Sequence, residues 1–157
     1  MSAGCDATLK LSSMDRIVLH RKDNIDVYVV ATGYNDSGPA YVAKAVAQIS
    51  EEVKKQGASL IWLTYQENAN VRIKSRTFNA VIRAKQVKNH MQILDWNRIS
   101  RNKKKWFSGT SVHMNETGGL NFARSIKSAL DIHFGYGTTT STSTSTTTST
   151  TTIPIAE

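Results

Sequence analysis

A single cysteine, Cys5, has no second thiol to pair with, so the 157-residue chain holds neither an internal disulfide nor a Cys-x-x-Cys metal or redox pair. Thiol chemistry therefore says nothing about its compartment. No apolar run reaches the roughly 18 residues of a membrane span, and about the first thirty residues lack the basic start, apolar stretch and small-residue cleavage site of a secretory signal. As written, the chain is expected neither to cross a membrane nor to export itself. There is no His-Glu-x-x-His motif, and His20, His90 and His133 fall in or beside predicted helices without ligand spacing, so they read as surface residues. Neither a metal nor a cofactor is expected. Acidic residues are scarce: 12 Asp and Glu stand against 20 Lys and Arg, a formal charge of +8 that favours polyanions in general and selects none of them.

What is present fits one domain, since 39% hydrophobic composition over this length supplies a core. The basic residues concentrate in Arg72, Lys74 and Arg76, and in Arg98, Arg101, Lys103, Lys104 and Lys105 just ahead of Trp106 and Phe107. A basic run beside aromatics suits single-stranded nucleic acid, yet this one lacks a regular stacking platform and reads first as a solvated loop. At the other end, Thr138 to Thr152 are all Thr or Ser, so residues 136–157 are predicted to be a disordered tail, either a plain linker or an O-glycosylated stalk.

Between those limits apolar runs alternate with helical periodicity, the pattern of a parallel sheet with crossover helices. Residues 25–32 (IDVYVVAT) predict a buried strand ending at Gly33. Val42, Ala45, Val46, Ile49 and Val53 predict a helix over 41–55, with Pro39 near its start and Gly57 past its end. A second strand is expected at 60–65 and a third at 92–96, separated by a helix over 75–88 with Phe78, Val81 and Ile82 inward. Leu120, Ala123, Ile126, Lys127 and Leu130 lie on neighbouring rows of a last helix from near Thr117 to Gly135, and Leu9, Met14, Ile17 and Val18 mark one before the first strand. Three strands make a thin sheet. The first is apolar on both faces, as if it had a neighbour on either side, and the expectation is that the first strands of the architecture lie upstream and are missing here.

Working groups in open parallel sheets sit at the carboxyl ends of strands. The first strand ends in Thr32-Gly33-Tyr34-Asn35-Asp36, and Trp106-Phe107-Ser108-Gly109-Thr110-Ser111-Val112-His113-Met114 leads into the last helix. These two segments resemble the third (Gly-x-Asn-Asp) and fifth (Asp-x-x-His) blocks of the SGNH/GDSL hydrolase family. WFSGTSVHMNETG looks most like the SGNH domains attached to membrane acyltransferases that O-acetylate surface polysaccharides, and Asp95-Trp96 adds to that likeness. The resemblance covers residues 1–135. It implies a partial doubly wound, flavodoxin-like α/β sheet of about three parallel strands with helices on both faces.

The family resemblance also implies acyl-ester hydrolysis or O-acetyl transfer, with His113 as general base and the Asn35 amide as oxyanion donor. Gly4 is the only candidate for the family's second donor, a backbone N–H. Two departures stand out. The Gly-Asp-Ser block does not occur, so the chain has no nucleophile: Ser2, Ser12 and Ser13 precede Asn35, but none follows an apolar strand, and the helix around Ser12 and Ser13 should keep them from the sheet edge. Thr110 stands where the family has Asp, and a neutral hydroxyl cannot stabilise an imidazolium. The chain is thus expected to be inactive alone, its partners being an acylated saccharide or ester and an upstream segment or membrane acyltransferase domain, which would place it outside the cytoplasm or at a membrane. No specific nucleic-acid partner is expected, whereas self-association through an exposed sheet edge is. The alternative is a basic, non-enzymatic module that binds an anionic polymer or nucleic acid through the Arg101 to Trp106 loop.

Overall fold

The strands form where β-branched and aromatic residues cluster, and they are shorter than the apolar runs that predict them. In the computed structural model, which describes residues 11–68, 70–109 and 111–136, β1 is Val27–Val30, β2 is Ser59–Leu63 and β3 is Gln92–Leu94. All pair in parallel in the order β1-β2-β3, with Val27 opposite Ser59 and Ile61 opposite Gln92. This is an α/β architecture, a three-stranded portion of the doubly wound parallel arrangement.

Each strand stops where another group takes its backbone. Asn79 captures the N–H of Tyr65, the Tyr65 hydroxyl captures the carbonyl of Thr32, and Asp95 caps the start of a helix. That helix, α4 (Trp96–Ser100), replaces the end of the strand expected over 92–96. The Asp95 side chain accepts from the Arg98 N–H, so a short cap decides what the five residues from Gln92 to Trp96 leave open.

Helix α1 (Ser13–Leu19) begins with a capping box in which Ser12 and Asp15 bond each other's backbone. Helix α2 (Pro39–Lys55) has Pro39 in its first turn and Lys54 and Lys55 in its last, both favourable to the helix dipole. Its Val42, Val46, Ile49 and Val53 are buried in one stripe. Helix α3 (Arg72–Lys85) buries Phe78 and Ile82 but also the polar Ser75 and Asn79.

Helices α1, α2 and α3 cover one face of the sheet, against Val30, Leu60 and Trp62. The other face, Val29, Leu63 and Leu94, carries the Trp96–Phe107 region and α5 (Glu116–His133). Helix α5 is only thinly buried: Gly118 and Ala129 are its buried residues, while Leu120 is 51% exposed and Ala123 is also exposed. Strand β1, expected to be buried on both faces, is half-buried at Val27, Tyr28 and Val29, because among the described residues it pairs with β2 alone. No described helix is long and apolar enough to cross a membrane. The Thr/Ser-rich tail, Cys5 and Leu9 lie outside the described residues.

Candidate functional site

Beyond β1 the chain makes a tight turn that lifts Asn35 to the carboxyl edge of the sheet. Gly33 adopts φ +123°, and the Asp36 N–H closes the turn on the Gly33 carbonyl at 3.0 Å. A Cβ at position 33 would run into the Tyr65 hydroxyl and the Asp36 carboxylate, so glycine is required both by conformation and by space. Tyr65 donates to the Thr32 carbonyl at 2.7 Å, and the Tyr34 hydroxyl accepts from the Gln66 N–H at 2.7 Å. The two rings meet edge to face with centroids 4.9 Å apart, and Tyr65 continues onto Phe78. Burial pushes the Tyr34 hydroxyl up to about 12 and Tyr65 up as well, so both remain protonated pegs. Burial also raises the Asp36 carboxyl, against the opposing charge of Lys74.

His113 is held by its backbone while its ring stays exposed. An isolated antiparallel bridge joins Phe107 to Met114, the Ser108 N–H donates to the His113 carbonyl at 3.0 Å, and the His113 N–H donates to Ser111 Oγ at 3.0 Å. The loop is then pinned at both ends. Asn68 Nδ2 donates to the Ser111 carbonyl at 2.8 Å. Asn115 caps α5 by accepting from the Gly118 N–H, and its Nδ2 reaches the Lys105 carbonyl at 2.8 Å. Gly118 passes so close to the Trp106 carbonyl that a Cβ there would collide with it.

The supports of both segments converge on the end of β2, through a polar network that the sequence reading missed. Asn79 clamps Tyr65 by accepting from its N–H at 2.7 Å and donating to its carbonyl at 2.8 Å. Thr64 donates to Asp95 and accepts from the Asn97 N–H, and Asn97 bonds both the backbone and the carboxylate of Glu67. Burial pushes the Asp95 carboxyl up, but bonds from Arg83, the Arg98 N–H and Thr64 prevail and hold it below its usual range. The sequence did carry a signal for this network: Asn79 interrupts the apolar stripe of α3, and a buried amide side chain must find partners.

Asn35 and His113 line one cleft of about 1360 Å³, together with Ser12, Ser13, Lys44 and Trp62. The sequence reading kept Ser12 and Ser13 away from the sheet edge, and here the structure differs, because α1 packs beside α2 and its first turn reaches the cleft wall. Both hydroxyls are already engaged, Ser12 with Asp15 at 2.7 Å and Ser13 with Thr32 Oγ1 at 2.7 Å. Gly4 and Thr110 lie outside the described residues. His20, His90 and His133 are exposed, as expected. Among the described residues no three His, Cys, Asp or Glu side chains cluster as metal ligands. The arrangement offers a proton acceptor and an amide donor around a concave, partly apolar space. No protein-family model matches the chain, and no curated protein matches it.

Proposed function

We propose that this cleft is an SGNH-type acyl-ester site, hydrolysing or transferring an acetyl group on an acylated, cell-surface polysaccharide, and that the chain supplies its base and oxyanion donor without its nucleophile. The observation that carries the reading is that Asn35 and His113, remote in sequence, line a single cleft at the carboxyl edge of a parallel sheet. In this reaction His113 accepts the proton of an attacking serine hydroxyl and returns it to the leaving alcohol. The Asn35 side-chain amide donates to the oxyanion, a contribution of about 3 kcal/mol at the transition state. Gly4 would add a backbone N–H, and Thr110 would orient the imidazole without stabilising its charge. In this reading the serine comes from a strand seated on the edge of β1 that is unpaired among the described residues, carried by an upstream segment or by a membrane acyltransferase domain.

The chain as it stands tests substrate recognition. An O-acetylated oligosaccharide should shift the NMR signals of the Asn35 side-chain amide and the His113 ring, and its de-acetylated counterpart should shift them much less. Asn35→Ala should weaken the response to the acetylated form. Equal responses to both sugars would remove the acyl-ester reading.

A further inference from the structure

The groove on the opposite edge of the sheet shares no residue with the cleft. It measures about 430 Å³ and runs between the outer edge of β3 and α5, closed at one end by α4 and Trp106. Arg98 and Arg124 both line it, and both are exposed. Arg124 has no ion-pair partner among the described residues, and Arg98 reaches Asp95 only at 3.8 Å, while Asp95 is already held by Arg83 at 2.8 Å. The neighbouring Lys103, Lys104 and Lys105 are exposed as well. Between residues 95 and 131 there are seven Lys and Arg and three acidic residues, of which Asp95 is held by Arg83 and Asp131 by Lys127, so the field over this edge is net positive.

Two features select among polyanions. The Trp106 ring is stacked on Trp96 at 5.9 Å and 15°, and the Lys103 ammonium lies over it at 5.8 Å, which leaves no open aromatic platform for a nucleobase. The polar lining from α5 offers acceptors beside its guanidinium group. Ser125 spends its proton on the Asn121 carbonyl, and Asn121 Nδ2 donates to the Thr117 carbonyl, so the Ser125 hydroxyl oxygen and the Asn121 side-chain oxygen remain as acceptors. A ligand that meets guanidinium groups with carboxylates and these oxygens with hydroxyl protons is a carboxylated sugar chain.

We infer that the groove between β3 and α5 binds an acidic polysaccharide, with Arg98 and Arg124 on its carboxylates and Asn121 and Ser125 on its hydroxyls. The site stands independently of the acyl-ester reading. Trp106 borders the groove and Ser108 begins the lining of the cleft, so a polymer held here lies beside the loop that carries His113.

The test is fluorescence titration of the full chain with polygalacturonate and, separately, with polyuridylate at equal charge concentration. Polygalacturonate should bind more tightly, with an affinity that falls roughly 10- to 30-fold between 50 and 200 mM salt, as expected for about two or three ion contacts. An Arg98→Ala, Arg124→Ala double variant should lose about tenfold or more at low salt and reduce the salt slope by roughly 2, with an unchanged thermal transition. Arg16→Ala, on the cleft wall, serves as a charge control and should retain binding. Polyuridylate binding as tightly as polygalacturonate would overturn the inference. So would a double variant that binds no worse than the Arg16→Ala control.

Discussion

The hydroxyl of Tyr65, at the end of the central strand, donates to the backbone carbonyl of Thr32 at 2.7 Å, and Gly33 follows directly beneath that ring. The height of Asn35 above the sheet is therefore set by a residue just past the end of a different strand. Tyr65→Phe removes one hydrogen bond and is expected to cost about 1 kcal/mol. Gly33→Ala adds a methyl group where φ is positive and space is filled, and is expected to cost roughly 2–4 kcal/mol. Thermal melts should show the second falling well below the first, and a Gly33→Ala protein as stable as the parent would contradict the geometry of the turn.

Asn79 gives a separate prediction because it satisfies both backbone groups of Tyr65 from within α3. Asn79→Ala strands two buried polar groups at about 1–3 kcal/mol each. Denaturant titration should reveal a loss well beyond that of an exposed substitution on the same helix such as Thr77→Ala. Parity between the two would show that the clamp contributes nothing.

Acid should loosen the contact between α2 and the segment after α1. Glu52 is buried, and its carboxylate accepts from Arg21 at 2.6 Å and 2.8 Å and from Gln56. The Arg21 hydrogen bonds, helped by Gln56, lower its pKa from 4.5 to about 2. A carboxylate with a depressed folded-state value stabilises fully above its unfolded value and progressively less as protons bind. This contribution is thus present above about pH 4.5 and is lost as pH falls from there towards about 2. Glu52→Gln should be less stable than the parent at pH 7, and their melting temperatures should converge across that window. Parallel curves would place the acid sensitivity elsewhere.

Catalysis should require a serine from outside the described residues. The chain alone is expected to hydrolyse an activated acetyl ester no faster than its His113→Ala variant, since Ser12 and Ser13 are committed to Asp15 and Thr32. A fusion placing a Gly-Asp-Ser strand, helix and strand ahead of Met1 should gain turnover that Asn35→Ala lowers about 10²- to 10³-fold. In the same fusion Thr110→Asp should raise the rate. His113-dependent turnover in the unfused chain would reveal a nucleophile overlooked here.

Strand β1 carries Val27, Val29 and Val30 and, among the described residues, pairs on one side only. An apolar strand edge of this kind invites pairing with another chain. The protein is expected to self-associate with rising concentration in sedimentation experiments, and Val27→Lys should reduce that association. A monomer at all concentrations, with a sharp and concentration-independent melt, would mean that the edge is covered.

What the sequence determined by itself was the order of elements and their faces. Val42, Val46, Ile49 and Val53 recur at helical spacing, so α2 could bury only one stripe, and the short apolar runs over 25–32 and 60–65 read as strands. The placement of Asn35 and His113 was legible for the same reason, since a glycine turn after a strand and a loop before a helix both fall on the carboxyl edge. The boundaries, and the means by which the edge is held, were decided by the tertiary structure. Whether residue 96 continues β3 or starts α4 depends on the Asp95 cap, and whether β2 extends to Tyr65 depends on Asn79, fourteen residues away in α3. Such bonds join polar groups brought together only by the packing of α3 on the sheet. Periodicity records which face of an element is apolar, and it carries no information about which buried polar group on that face will meet which other.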